Sequence, residues 1–141
     1  ADFAGDRPSY KSTLGIAMFA EGKNTPSPLA AKSVELTCRS HSTQEAEIVA
    51  MNTALRTIGA PALDLWEVIL KRSLKIQLRE DTETAITAAQ TGKNATMRHT
   101  GRTHGVQIGW IHDCFKNGLA DLRYIESSRQ KADIFVYEVV S

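Results

Sequence analysis

The 141-residue sequence contains no apolar run near the ~18 residues a helix needs to cross a bilayer, which excludes a helical membrane span within it. Its opening, ADFAGDRPSYKS, lacks the charged-then-apolar layout of a secretory signal, so an intracellular protein, cytoplasmic or nuclear, is the expectation. Cysteine is scarce: Cys38 in VELTCRS and Cys114 in WIHDCFK are the only two. One falls in a strand-like run and one in a helix-like run, which points to two buried free thiols in a reducing compartment rather than a disulfide framework. Internal repeats and low-complexity tracts are also absent, which excludes repeat arrays and compositionally biased segments. The hydrophobic fraction of 42% and charged fraction of 23% are ordinary for a folded chain. A length of 141 residues fits one domain with a real core.

Net charge is nearly absent, at +1, but the charge is unevenly spread. Residues 1–70 carry six Lys or Arg against eight Asp or Glu, residues 71–131 eleven against six, and residues 132–141 none against two. A basic later half suits a polyanionic partner, although most charge clusters are simply solvated faces.

The first residues, ADFA, suit a strand, and the chain reads as starting inside that element. Turn-rich GDRPSYKST leads to Leu14 through Ala20, a short apolar run without helical period that reads as a buried strand. EGKNTPSP is a loop by its Gly, Asn and Pro content. Val34, Leu36 and Cys38 then alternate with Glu35 and Thr37, the period of a half-buried strand. Three strands in succession predict an antiparallel meander. Helical spacing follows: Ser42 and Glu45 form a capping-box pair, and Ile48, Met51 and Leu55 recur at three and four residues. Gly59-Ala60-Pro61 is expected to stop that helix. LDLWEVILK predicts a second helix, and Leu74, Ile76 and Leu78 a strand ending at Asp81. ETAITAAQ predicts a short helix and residues 92–101 a basic loop. His104, Ile108, Ile111 and Phe115 then form one stripe of a helix closed by Asn117-Gly118. LADLRYIES is a last strand, and the tail IFVYEVV fits either helix or strand. Hairpin strands followed by strand–helix alternation predict an α/β fold, a mixed sheet covered by helices.

Three acidic residues stand at ends of these elements: Glu47 early in the first long helix, Asp81 closing a strand, and Asp133 opening the last segment. Functional groups of α/β sheets collect at such positions. Two carboxylates ~4 Å apart repel by roughly 4 kcal/mol at an effective dielectric near ~20, so three of them stay ionised together only around a cation. Magnesium, a hard ion that prefers oxygen ligands, meets that need. A pair of such ions roughly 4 Å apart can polarise a phosphodiester and generate the attacking hydroxide. By spacing alone, each of the three is more often a surface charge.

The segments ADFAGD, YKSTLG, LTCRSHSTQEAEIVAM, LREDTETAI, MRHTGRTH and QKADIF occur in the order, and with spacing similar to that, of a known set of signature blocks. Over essentially its whole length the chain resembles the ribonuclease H domain of copia-type retrotransposon reverse transcriptase polyproteins. STQEAEI and KADIF are the most specific blocks, with ADFAGD and YKSTLG in support. The resemblance implies a ribonuclease H-like fold of about five strands, three antiparallel and then parallel, flanked by helices. It further implies endonucleolytic cleavage of the RNA strand of RNA–DNA hybrids, a cofactor of Mg2+ or Mn2+ as two ions, and a place within a larger polyprotein. Residue by residue, the family's helix-borne catalytic Glu falls on Glu47 rather than Glu45, which the capping box already engages. Its strand-end Asp falls on Asp81 and its terminal Asp on Asp133. The basic block implies that Lys93, Arg98, Arg102 and His104 lie near the hybrid, whose A-like form is read by shape, phosphates and 2′-hydroxyls. His99 and His112 are expected to have no part in binding.

The sequence departs from the family pattern in places. The family's first catalytic Asp directly precedes the Ala-Asp-aromatic block, one position before Ala1, so the domain reads as truncated at its N-terminal strand. Asp2, two residues further along that strand and on the same face, is the substitute. The family follows its strand-end Asp with Asn and Gln, where Thr82 and Glu83 stand here, and an extra carboxylate can bind metal or disturb it. ESSRQK carries no histidine, as copia-type domains also tend to lack one. The absent Asp and Glu83 keep a second expectation open: a catalytically decayed or domesticated module of the same fold, used for nucleic-acid binding or as a protein scaffold. A strand-transfer enzyme of this fold is disfavoured, because integrases place their helix-borne Glu last and here it comes second.

Overall fold

The computed structural model describes residues 11–21, 23–36, 39, 42–94 and 98–129. The segments expected at ADFA, at Cys38 and in the tail from residue 130 onward lie outside them.

Strands β1 (Thr13–Glu21) and β2 (Pro26–Glu35) form an antiparallel hairpin in the register Leu14↔Val34 and Ile16↔Lys32, with a slip between Met18 and Phe19. EGKNTPSP is therefore loop only in its middle, since β1 runs on through Glu21 and β2 already begins at Pro26. Pro26 and Pro28 cannot donate to a ladder, and β2 tolerates them because it is exposed along almost its whole length. Leu14 and Ile16 turn inward from β1 and are buried.

Helix α1 (Thr43–Ala54) begins where its cap predicts: the Ser42 hydroxyl accepts the Glu45 N–H at 3.1 Å. All residues from Glu45 to Asn52 are buried, so α1 lies inside the core instead of covering it with one face. Gly59-Ala60-Pro61 does not stop the helix. A π-helical turn (Leu55–Gly59) carries it into α2 (Ala60–Leu70), with the Ala60 N–H donating to Leu55 O. The wider turn resets the hydrogen-bond ladder just ahead of Pro61. The proline then stands in the first turn of α2, where a missing N–H costs little.

Strands β3 (Ile76–Glu80) and β4 (Ala120–Tyr124) pair in parallel from Ile76↔Ala120 to Glu80↔Tyr124. Parallel neighbours require a crossover, and α3 (Glu83–Thr91), α4 (Thr100–Thr103) and α5 (Ile108–Lys116) supply it. The helix expected over His104 to Phe115 starts only at Ile108, because Gly105 turns the chain at φ +65°; the short α4 lies ahead of His104 and takes in the end of the expected basic loop. Leu14, Ile48, Leu55, Ala85, Ala89 and Ile111 join β1, α1, α3 and α5 in one core. Cys114 on α5 is buried in it as a free thiol, and burial pushes its pKa up. Among the described residues the architecture is a mixed α/β fold with one antiparallel and one parallel two-stranded sheet.

Candidate metal centre

Three carboxylates meet where β3 ends against α1. Glu47 projects from the buried length of α1, Glu80 is the last residue of β3, and Asp81 follows it directly. One oxygen from each lies within 4.8 Å of the others, with Glu47 and Glu80 buried and Asp81 half-buried. Glu47 is held by the core helix that carries it. Asp81 is held from outside: the Ser127 hydroxyl, in a short 3-10 turn (Ser127–Arg129) after β4, donates to Oδ2 at 2.6 Å. The Thr82 N–H donates to Glu80 Oε1 at 3.1 Å.

Burial, and next the Glu47 carboxylate beside it, push the pKa of Glu80 up to about 8; the Thr82 N–H pulls the other way and Asp81 adds to the rise. Close carboxylates that lack a cation reduce their repulsion by keeping a proton. An all-oxygen donor set with that unrelieved charge fits Mg2+ or Mn2+ and offers nothing to a soft metal. The cluster opens on a cleft of about 920 Å³ between β1 and β3, with Ala50, Met51 and Leu55 along one wall and Arg129 among its lining residues. Arg79 of β3 and Glu21 of β1 form an ion pair at 2.5 Å that links the two strands.

The structure brings Glu47 and Asp81 together; Asp2 and Asp133 lie outside the described residues. Glu80 was not singled out by the sequence. In an extended strand neighbours point to opposite faces, so choosing Asp81 argues against Glu80; the ladder ends at Glu80, and the chain turns there, so both carboxylates face α1. A pair of adjacent acids closing an apolar strand was the available signal. Glu83, the extra carboxylate of the sequence reading, is exposed in the first turn of α3, where a negative charge suits the helix dipole, and is not in the cluster.

The basic residues divide into two groups. Arg98, His99 and Arg102 line a shallow pocket of about 310 Å³, and Lys93 is exposed just beyond α3. His104, near the hybrid by the basic block but core-facing by its stripe with Ile108, Ile111 and Phe115, turns inward. Its side chain is only 1% exposed, and its Nε2 lies 2.8 Å from Glu45 Oε1, because a carboxylate buried in α1 requires a donor from the packed turn opposite. His99, expected to be without a role, lies 3.2 Å from the same oxygen. Glu45 itself does half of its expected capping work, through its backbone N–H, while its side chain meets these two imidazoles.

Comparison with protein-family models, curated proteins and solved structures finds nothing that matches this chain.

Proposed function

We propose that the chain is a ribonuclease H-like domain of a copia-type reverse transcriptase polyprotein, cleaving the RNA strand of RNA–DNA hybrids with a divalent metal. The observation that carries this reading is the convergence of Glu47 and Asp81, from a helix and a distant strand end, on one carboxylate cluster. An antiparallel hairpin and a parallel strand pair joined by a helical crossover support the finer fold, a mixed sheet of about five strands flanked by helices.

In this reading Glu47, Asp81 and Glu80 hold the metal, with Asp133 and Asp2 as further ligands. The bound metal would supply positive charge to polarise the phosphodiester and lower the pKa of water for attack. The remaining chemistry belongs to the chain. Glu47 projects from the stretch of α1, Glu45 to Asn52, in which every residue is buried, and the Ser127 hydroxyl donates to Asp81. Glu80, whose pKa burial and Glu47 raise, would have to release its proton to act as a ligand. Arg98 and Arg102 grip the backbone of the duplex by charge, without reading bases.

The test is magnesium-dependent release of labelled RNA from a hybrid by the wild-type chain, Glu47→Gln and Asp81→Asn. Whatever magnesium-dependent release the wild-type chain gives should fall by on the order of a hundredfold or more in each variant, as it does when site groups are misplaced. Release that survives chelation of magnesium, or that Asp81→Asn leaves unchanged, would overturn the assignment. Salt-sensitive binding of hybrid with no cleavage would instead identify a non-cleaving binding module of the same fold.

A further inference from the structure

Glu45 is a buried carboxylate that the metal cluster does not use. Its side chain is 1% exposed, as is that of His104 at 2.8 Å, while His99, at 3.2 Å from the same oxygen, is 33% exposed. Glu45 and Glu47 are two residues apart, which is about 200° around an α-helix. The two carboxylates therefore leave α1 in nearly opposite directions, one toward the end of β3 and the other toward the turn over residues 98–104.

That turn is braced within itself. His99 O accepts the N–H groups of Arg102 at 2.9 Å and Thr103 at 3.1 Å, and the Thr100 hydroxyl reaches Val106 O at 3.3 Å. Arg98 and Arg102 are left exposed on its outer side. A carboxylate this deep needs polar partners: His104 is within hydrogen-bonding distance and geometry, His99 lies within ion-pair distance, and both imidazoles come from the segment that carries the arginines. The contacts tie a surface turn to the helix that also bears Glu47.

We propose that Glu45 is a positioning residue for nucleic-acid binding: through His99 and His104 it fastens the turn bearing Arg98 and Arg102 to α1, and so sets where the gripped backbone lies relative to Glu47. The proposal rests on the hybrid-binding reading above. Its sign is opposite to that of simple electrostatics. Replacing a carboxylate by an amide cannot weaken the attraction of a polyanion through charge, whereas loss of positioning makes Glu45→Gln a worse binder.

The experiment measures affinity of the full chain for a short RNA–DNA hybrid by fluorescence anisotropy, with chelator present so that the carboxylate cluster takes no part. Wild type, Glu45→Gln, the double variant Arg98→Ala/Arg102→Ala, and the combined triple variant are compared, with circular dichroism to confirm folding. Glu45→Gln should weaken binding about tenfold in the wild-type background and less than about twofold once both arginines are gone, the non-additivity expected of residues that act through one another. His99→Gln, at a partly exposed position, should weaken binding in the same way and serves if Glu45→Gln does not fold. Unchanged or tighter binding by the folded variants, or an equal loss with and without the arginines, would overturn the proposal alone. Wild-type affinity in Arg98→Ala/Arg102→Ala would remove the hybrid-binding reading and this proposal together.

Discussion

Glu80 is the residue on which the electrostatics of the cluster turn. Its folded pKa is about 8 against 4.5 for an ordinary glutamate, so between those values the native state binds more protons than the unfolded one. The resulting stability is fully present below pH 4.5 and is lost as pH rises through about 8. In chelator, urea denaturation should show wild type losing stability relative to Glu80→Gln between about pH 5 and about pH 9, by on the order of a few kcal/mol. Magnesium should stabilise wild type more at the high end of that range, because at the low end it must first displace the proton. Parallel pH profiles for the two chains, or a magnesium effect independent of pH, would show that Glu80 does not share the site. Asp81 and Glu47 could be picked from the sequence as acids at element ends. For Glu80 the sequence offers only its adjacency to Asp81 at a strand end; its burial beside Glu47 is not written in the spacing of one strand.

Among the elements, the helices were legible where local chemistry sets their ends. Ser42 caps α1 and Asn117 closes α5, as their side chains and the following Gly118 suggest. Pro61 misled because its effect depends on the turn ahead of it, and a π-helical turn removes the conflict. Gly92 ends α3 in the left-handed region at φ +70°, and a Cβ there would lie 2.9 Å from His112 Cγ on α5. Gly92→Ala should cost about 1 to 2 kcal/mol from the backbone alone, with a further loss from the push on α5. In Gly92→Ala/His112→Gly, which also removes the His112 Cβ at 3.0 Å, only the backbone part should remain relative to His112→Gly. Gly109, with nothing within 4 Å of its Cβ position and no positive φ, is the contrast. Gly109→Ala should raise stability by up to about 1 kcal/mol. Equal effects of Gly92→Ala and Gly109→Ala in urea melts would contradict this account of the α3–α5 contact.

For the whole molecule, the uneven charge of residues 71–131 belongs with the placement of Arg98 and Arg102 on an outer turn. If each neutralises one phosphate, replacing both with alanine should flatten the slope of log affinity against log salt by about 2 for a hybrid. An unchanged slope would return the segment to a solvated face. The sequence by itself determined the periods of strand and helix, the caps, the hairpin-then-crossover order and the presence of acids at element ends. Each of these depends on residues within a few positions of one another, through backbone geometry and local hydrogen bonds. The tertiary structure alone decided that Glu80 shares a cluster with Glu47, that His104 turns inward to Glu45, and that Pro61 sits within a continuous helical run. Those outcomes follow from the cost of burying charge without a partner and from the fit of distant segments, and both are properties of the surroundings that packing creates.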